Sequence, residues 1–594
     1  MSDTLPLWDL TTVFPSMESN KYKAERNRFI SEIEEFESFL KIDNLGDPKT
    51  WLTEALDRHD RITDLHEELE SYIYTQFSTN TTDPAILKEL NKIEADVVQL
   101  KSTGTLFCDR LAELNEEGKL FPAVESGGFE SHRFFIEESL EEQKHQMSRE
   151  EESLAAELSM SGADAWARLQ ESVSSTVSTL WDEGTGETKT VIELRALAYH
   201  KERDVRKNAF EKEISLWKQM ETPLAYALNG IKGTSLTLCK RRGWESPLDI
   251  SLRSARISRE TLDALIGVMT DNLPVFRKYL KAKAELMGVE KLAFYDIFAP
   301  MEAATEMGFD EVRTFIIDKF SAFSPRMGAY AKKAFDSNWL DTKPREGKVG
   351  GAYCTSFPLT GESRILCNFD GSYDALTTVA HELGHGYHHE ILKDEKAVAR
   401  QYPMTLAETA SIFAENVVFN QAVSQAKGAE KLALIEDFLK SATQVIVDIL
   451  SRFIFEESVF EKRKEGELSA DEFSALMIEA QKKTYGDAIL ESELHPYMWA
   501  VKGHYYIPGL DFYNFPYAFG QLFGMGLYGQ YEEKGSSFAA DYDELLLHTG
   551  TAPAEKVTTR AGFDITKRDF WQRGIDTIAG HVETFVQLVK EETK

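Results

Sequence analysis

A chain of 594 residues with 42% hydrophobic and 11% aromatic side chains can build a sizeable core, which excludes bulk disorder. At about 100–200 residues per domain, this length predicts several domains or one large helical body with an appended part. Its 67 basic and 99 acidic side chains leave a net charge of −32, which repels nucleic-acid backbones and anionic membranes and predicts neither as a partner.

The cysteines are Cys108, Cys239, Cys354 and Cys367, too few for a disulfide scaffold and without a Cys-x-x-Cys pair to hold a structural metal. The opening segment lacks the basic-then-apolar profile of a signal peptide. No apolar run reaches the length of about eighteen residues that a membrane span needs. The expectation is a soluble cytoplasmic protein, a monomer or a small homo-oligomer.

In chain order, residues 20–180 are dense in Glu, Lys, Leu and Ile and read as helices. Asp83 is a cap, Pro84 suits a first turn, and Ile86, Leu90, Ile93, Val97 and Leu100 recur at helical spacing. The acidic tract Glu137–Glu157 carries Leu140, Met147, Leu154 and Leu158 and predicts one buried stripe on a charged helix. Residues Trp181–Thr190, with two glycines and several threonines, read as a turn or hairpin. A boundary placed there gives an N-terminal helical lobe at 1–185 and a catalytic helical domain at 186–594. Helical patterns resume at Val191 and run to about Phe335. Residues 345–371 break them: glycines and β-formers, then Ser363–Phe369, predict a small sheet just ahead of the chemically richest segment. Later, Ser469 with Glu472 forms a capping-box signature. The fold class expected is mostly α with one small sheet.

Residues 381–389 read His-Glu-Leu-Gly-His-Gly-Tyr-His-His. In a helix, His381 and His385 lie one turn apart on one face, a spacing that lets two imidazole nitrogens reach one zinc ion. Glu382 stands beside them, able to take a proton from water held at the metal without itself ligating. Gly371-Ser372 provides the helix start.

A catalytic zinc needs a third protein ligand and an open position. Glu408 is the candidate, 23 residues after His385 (408 − 385), with room for a loop at Pro403 and a returning helix. Thr405 and Glu408 also spell a capping box, which would turn that carboxylate back to the helix start instead. Glu415, seven residues on, shares the face of Glu408 and is a candidate acceptor for a ligand imidazole's second N–H. His388 follows His385 by three and is a candidate to line the cleft rather than to ligate.

Attack of a metal-activated water on a carbonyl also needs a donor for the developing oxyanion. Residues 499–520 combine His504, Tyr505, Tyr506, Tyr513 and Tyr517 with glycines. They read either as donors or as packed core aromatics.

Together, His381–His388, Glu408 with its trailing Thr-Ala-Ser, and the His504–Tyr517 segment resemble the thimet oligopeptidase family of zinc peptidases, specifically its bacterial oligoendopeptidase F branch. The likeness extends to Leu7–Pro15, to Gly350–Cys354 and to Ile365–Phe369, and so covers most of the chain. The resemblance implies a clam-shaped helical metallopeptidase whose deep channel admits short unstructured peptides and excludes folded proteins. It implies one zinc ion on His381, His385 and Glu408, Glu382 as general base, and His504 and Tyr517 as transition-state donors. Residues 350–354, Gly351 among them, would be an edge strand pairing with substrate backbone; Tyr506 and Tyr513 are further candidates for substrate contact. The mammalian branch spaces its two donor tyrosines three apart, where Tyr513 and Tyr517 are four apart, and it has Phe where this chain has Leu383.

The function expected is zinc-dependent cleavage of internal bonds in short oligopeptides. Its rivals are a zinc carboxypeptidase of similar architecture and an inactive peptide-binding scaffold.

Overall fold

The computed structural model describes residues 5–301 and 307–593. It is 73% helical, with only small sheets. Strand β1 (Ser178–Asp182) pairs antiparallel with β2 (Glu187–Thr190), the expected hairpin, and Val191 opens a new helix directly after it. A second sheet contains β3 (Leu340–Asp341), β4 (Tyr353–Phe357) and β5 (Glu362–Leu366) in the order β3-β5-β4. β3 runs parallel to β5, with Leu340 opposite Ile365; β4 runs antiparallel to it, from Tyr353–Leu366 to Phe357–Glu362. β4 is therefore an edge strand.

The chain divides into two units that interleave along the sequence. One comprises Met1–Lys144, Thr305–Ala422 and Gln530–Phe563; the other comprises His145–Ala304, Val423–Gly529 and Asp564–Lys594. This differs from the expected split at 185/186. The helix Ala163–Thr176 and the β1–β2 hairpin pack with the long helix Arg203–Arg241, so the chain has changed units well before the hairpin. The fit is close: a Cβ added at Gly230 would lie 2.7 Å from the indole nitrogen of Trp166.

In the first unit, helices Asn20–Leu40, Pro48–Thr79 and Pro84–Glu116 begin at caps legible in sequence: Ser19, then Asp47 and Asp83, each of the two followed by proline at the first helical position. Their apolar faces close on Phe29, Phe36, Leu52, Leu69, Ile93 and Phe107, and Phe357 of β4 belongs to the same core. Ser71 Oγ and Ser78 Oγ meet Thr355 Oγ1 and Tyr353 OH at 2.7 and 2.6 Å, fixing the edge strand against the helix Pro48–Thr79.

The acidic tract is not one helix. Ser148 and Glu151 form a capping box that starts a separate helix, Arg149–Ser161, after one that ends at Lys144. That second helix buries none of its residues, and Leu154 and Leu158 are 56% and 60% exposed, so the predicted buried stripe does not form. The box at Ser469 and Glu472 forms as expected and opens the helix Ala470–Tyr485.

Candidate metal centre

The sheet leads straight into the helix that carries the His-Glu-Leu-Gly-His segment. Beyond β5, Cys367 N–H and Phe369 N–H donate to the carbonyls of Asp341 and Thr342 at 3.0 and 2.9 Å, which fixes the exit from the strand. Gly371 then turns at φ +85°, and Ser372 caps the motif helix (Tyr373–Leu392) by accepting from Ala375 N–H. Leu376, Val379, Ala380, Leu383 and Tyr387 bury one face of that helix. Tyr387 OH also donates to Asp543 Oδ1 at 2.5 Å. His381 and His385 occupy another, partly exposed face.

A second helix, Met404–Gln425, returns alongside, as the loop at Pro403 predicts. Its approach depends on Gly384, where a Cβ would stand 2.5 Å from the carbonyl oxygen of Ala410 and 2.6 Å from the Cα of Ser411. Because the helix already begins at Met404, Thr405 lies inside it and Glu408 in its second turn, not at a cap. Glu408 Oε2 faces the histidines, 3.2 Å from His381 Nε2 and 3.5 Å from His385 Nε2, and accepts from Ser411 Oγ at 2.9 Å. The two Nε2 atoms are 3.2 Å apart.

These distances test the fit to a metal. With ligand bonds of about 2.05 Å, tetrahedral coordination separates neighbouring ligand atoms by about 3.3 Å. The three observed separations bracket that value. The donor set agrees: His381 Nδ1–H donates to Glu415, so once a bound ion displaces the ring's other proton, the lone pair is on Nε2, turned toward His385 and Glu408. His381, His385 and Glu408 are the group of metal-binding type found among the described residues, and they fit zinc.

Electrostatics follow from the crowding. Burial alone would lower the pKa of His381, but the carboxylates of Glu415 and Glu408 raise it well above the ordinary value. Burial, with His381 beside it, takes His385 down to about 3. Glu382 is 5% exposed and its pKa is pushed up to about 7, first by burial, with His381 opposing and Glu408 and Glu415 adding to the rise. Its Oε2 is buried with no hydrogen-bond partner among the described residues, so the carboxylate has spare capacity for a proton.

The other expected residues fall in several places. Gly351 lies two residues before β4, in an exposed left-handed turn at φ +77°, so the edge strand starts at Tyr353 and not at 350. His388 does not line a cleft: it is fully buried, its Nε2 is 2.8 Å from Thr549 Oγ1, and it stacks on Tyr402. In the second unit, Tyr506 is 1% exposed and its hydroxyl has no partner among the described residues, which argues against direct substrate contact; Trp499 and Tyr505 are likewise core aromatics. His504, Tyr513 and Tyr517 remain partly exposed, with the two tyrosine hydroxyls 2.5 Å apart. Asn514, which sequence reasoning passed over, places its amide nitrogen 2.7 Å from His504 Nε2. Arg452 stands behind it; the available signal was the pair Asp448 and Arg452, four apart in an otherwise apolar helical stretch.

A family model described as Peptidase family M3 matches residues 196–577, and one described as Oligopeptidase F matches 116–178. Oligopeptidase PepF of Bacillus subtilis is 22% identical, covering 94% of this chain and 83% of that protein. An oligoendopeptidase F homolog of Lactococcus lactis is 23% identical, covering 98% and 97%. The crystal structure of oligoendopeptidase-F from Enterococcus faecium superposes with a TM-score of 0.71 at 17% identity, over 96% of this chain and 99% of that one.

Proposed function

The chain belongs to peptidase family M3 and is a metallo-oligopeptidase, and from that premise we propose that it hydrolyses internal bonds of short, unstructured oligopeptides with one zinc ion. The observation that carries the metal is the convergence of His381 Nε2, His385 Nε2 and Glu408 Oε2 at tetrahedral spacing. The names of the relatives carry the substrate class.

Zinc, when bound, supplies Lewis acidity toward water and the scissile carbonyl. The protein's own part begins with Glu382, which takes the proton of the attacking water and returns it to the leaving amine. Its Oε2, buried and without a hydrogen-bond partner among the described residues, is free to accept that proton and to return it. Glu415 fixes the ring of His381 through Nδ1. His504 and Tyr517, in roles that rest on the resemblance, donate hydrogen bonds to the oxyanion. Edge strand β4 offers unpaired backbone groups to an extended peptide.

No described helix is long and apolar enough to cross a membrane. The test is cleavage mapping on an end-blocked, quenched peptide, with metal analysis of the same sample. Internal cuts that stop with phenanthroline and return with added zinc support the proposal. Cleavage only of peptides with a free C-terminus would make the protein a carboxypeptidase, and bound peptide without cleavage would make it a scaffold.

A further inference from the structure

The side chains behind His504 form an ordered relay within the second unit. Arg452 and Asp448, one turn apart, are ion-paired and only 9% and 6% exposed. Arg452 Nη1 donates to Asn514 Oδ1 at 3.0 Å, and Asn514, 5% exposed, has its Nδ2 2.7 Å from His504 Nε2. A guanidinium has donors only, so the amide must turn its oxygen to Arg452 and its NH2 to the histidine. The reversed amide would set two donors against each other in a dry site, where an unmade hydrogen bond costs most. The imidazole nitrogen facing that NH2 must therefore be the acceptor.

The backbone that aims Asn514 is itself constrained. Phe512 has φ +54°, a left-handed conformation rare for a bulky side chain. Several contacts hold it there. Asp511 Oδ1 accepts from the buried ammonium of Lys232 at 2.7 Å, and its carbonyl accepts from Ser251 Oγ at 2.6 Å. The ring of Phe512 packs on Phe453 and Phe460. Neutral His504 is secured separately: burial, with Arg452, Lys502 and Lys232 nearby, takes its pKa down to about 2, so what distinguishes its states is which nitrogen bears the proton.

We propose that Asn514, oriented by Arg452, is a positioning residue that locks His504 as its Nδ1–H tautomer, leaving that N–H, which has no partner among the described residues, as the ring's free donor. The inference rests on the reading of His504 as an oxyanion donor and adds which atom donates and what fixes it. A carboxylate at position 514 has acceptors only and would pull the proton to Nε2, leaving a lone pair where a donor is needed.

The test is a two-bond nitrogen–proton correlation spectrum of the zinc-loaded chain labelled with 15N-histidine, with His504 assigned by the resonances absent from His504→Ala. The wild type should have a pyrrole-type Nδ1 and a pyridine-type Nε2, and Asn514→Asp should reverse them. In Asn514→Asp, kcat should fall roughly 10²–10³-fold with KM within about threefold. A protonated Nε2 in the wild type overturns the proposal without any variant, and so does Asn514→Asp that folds and turns over at the wild-type rate. Should Asn514→Asp fail to fold, Arg452→Met is the second variant: freed from its orienting donor, the amide can turn over, and His504 should populate both tautomers. Wild-type turnover in His504→Ala, with the wild-type tautomer as assigned, would remove the donor reading and the catalytic part of the proposal while the orientation stands.

Discussion

Gly384 and Ala410 meet backbone to backbone: a single methyl added to Gly384 would come within 2.5 Å of the Ala410 carbonyl oxygen. This contact sets how near the helix of Glu408 can come to the helix of His381 and His385. A zinc site tolerates only a few tenths of an ångström in its ligand distances, so the proposed ligand role of Glu408 depends on a residue that is not itself in the proposed site.

Gly384→Ala must therefore move one helix or distort both. The expected outcome is a loss of about 1–3 kcal/mol of stability together with weakened zinc retention. Denaturant titration and metal analysis after dialysis check it, and wild-type values in both would mean that the approach is not limiting.

Glu382→Gln keeps the shape of the side chain and removes its basicity. Zinc stoichiometry should stay at the wild-type value while kcat on a quenched peptide falls at least roughly 10²–10⁴-fold. A variant as fast as wild type would show that the proton goes elsewhere.

Glu415 and Glu408 grip opposite nitrogens of the same imidazole, one through Nδ1 and one facing Nε2. Glu415→Ala frees the ring without touching a ligand, and zinc affinity should fall roughly 10–100-fold by competition with a chelator. Unchanged affinity would reduce the pair to a surface contact.

His388 gives a pH dependence of stability. Thr549 Oγ1 donates to the Leu546 carbonyl at 2.9 Å, so His388 Nε2–H donates to Thr549, and Nδ1 is left buried without a partner among the described residues. Burial, with His389 and His385 nearby, holds its pKa well below the ordinary value. The folded ring stays neutral while the unfolded one protonates below about pH 6.5, so its contribution is complete above that pH and declines as pH falls, by up to about 1.4 kcal/mol per unit. Denaturation of the chelator-treated chain at pH 7.5 and 5.5 should give a steeper loss for wild type than for His388→Gln. Equal slopes would mean that the histidine is not held neutral.

Local rules carried the sequence reading a long way. Proline and aspartate at helix starts, the capping box at Ser469 and Glu472, and the hairpin before Val191 each depend on residues within one turn of one another, and each formed as read. The same holds for the two motif histidines, whose shared face follows from the pitch of a helix. Where two local signals competed, the sequence could not choose. Leu154 and Leu158 continued a helical stripe across residues that Ser148 had already assigned to a new helix, and neither pattern says whether a partner surface exists to bury them.

Only tertiary structure decided the rest, because it depends on which distant segments meet. Thr405 and Glu408 spell a capping box as well as a candidate ligand, and the cap was excluded by the loop after the motif helix, which starts the next helix at Met404, two residues too early for Thr405 to cap it. The interleaving of the two units, the burial of Tyr506 and His388, and the alignment of Asp448, Arg452, Asn514 and His504 all join residues far apart in the chain. A helix repeats every 3.6 residues whatever surrounds it, but a hydrogen bond across sixty residues exists only after the whole fold has brought its ends together.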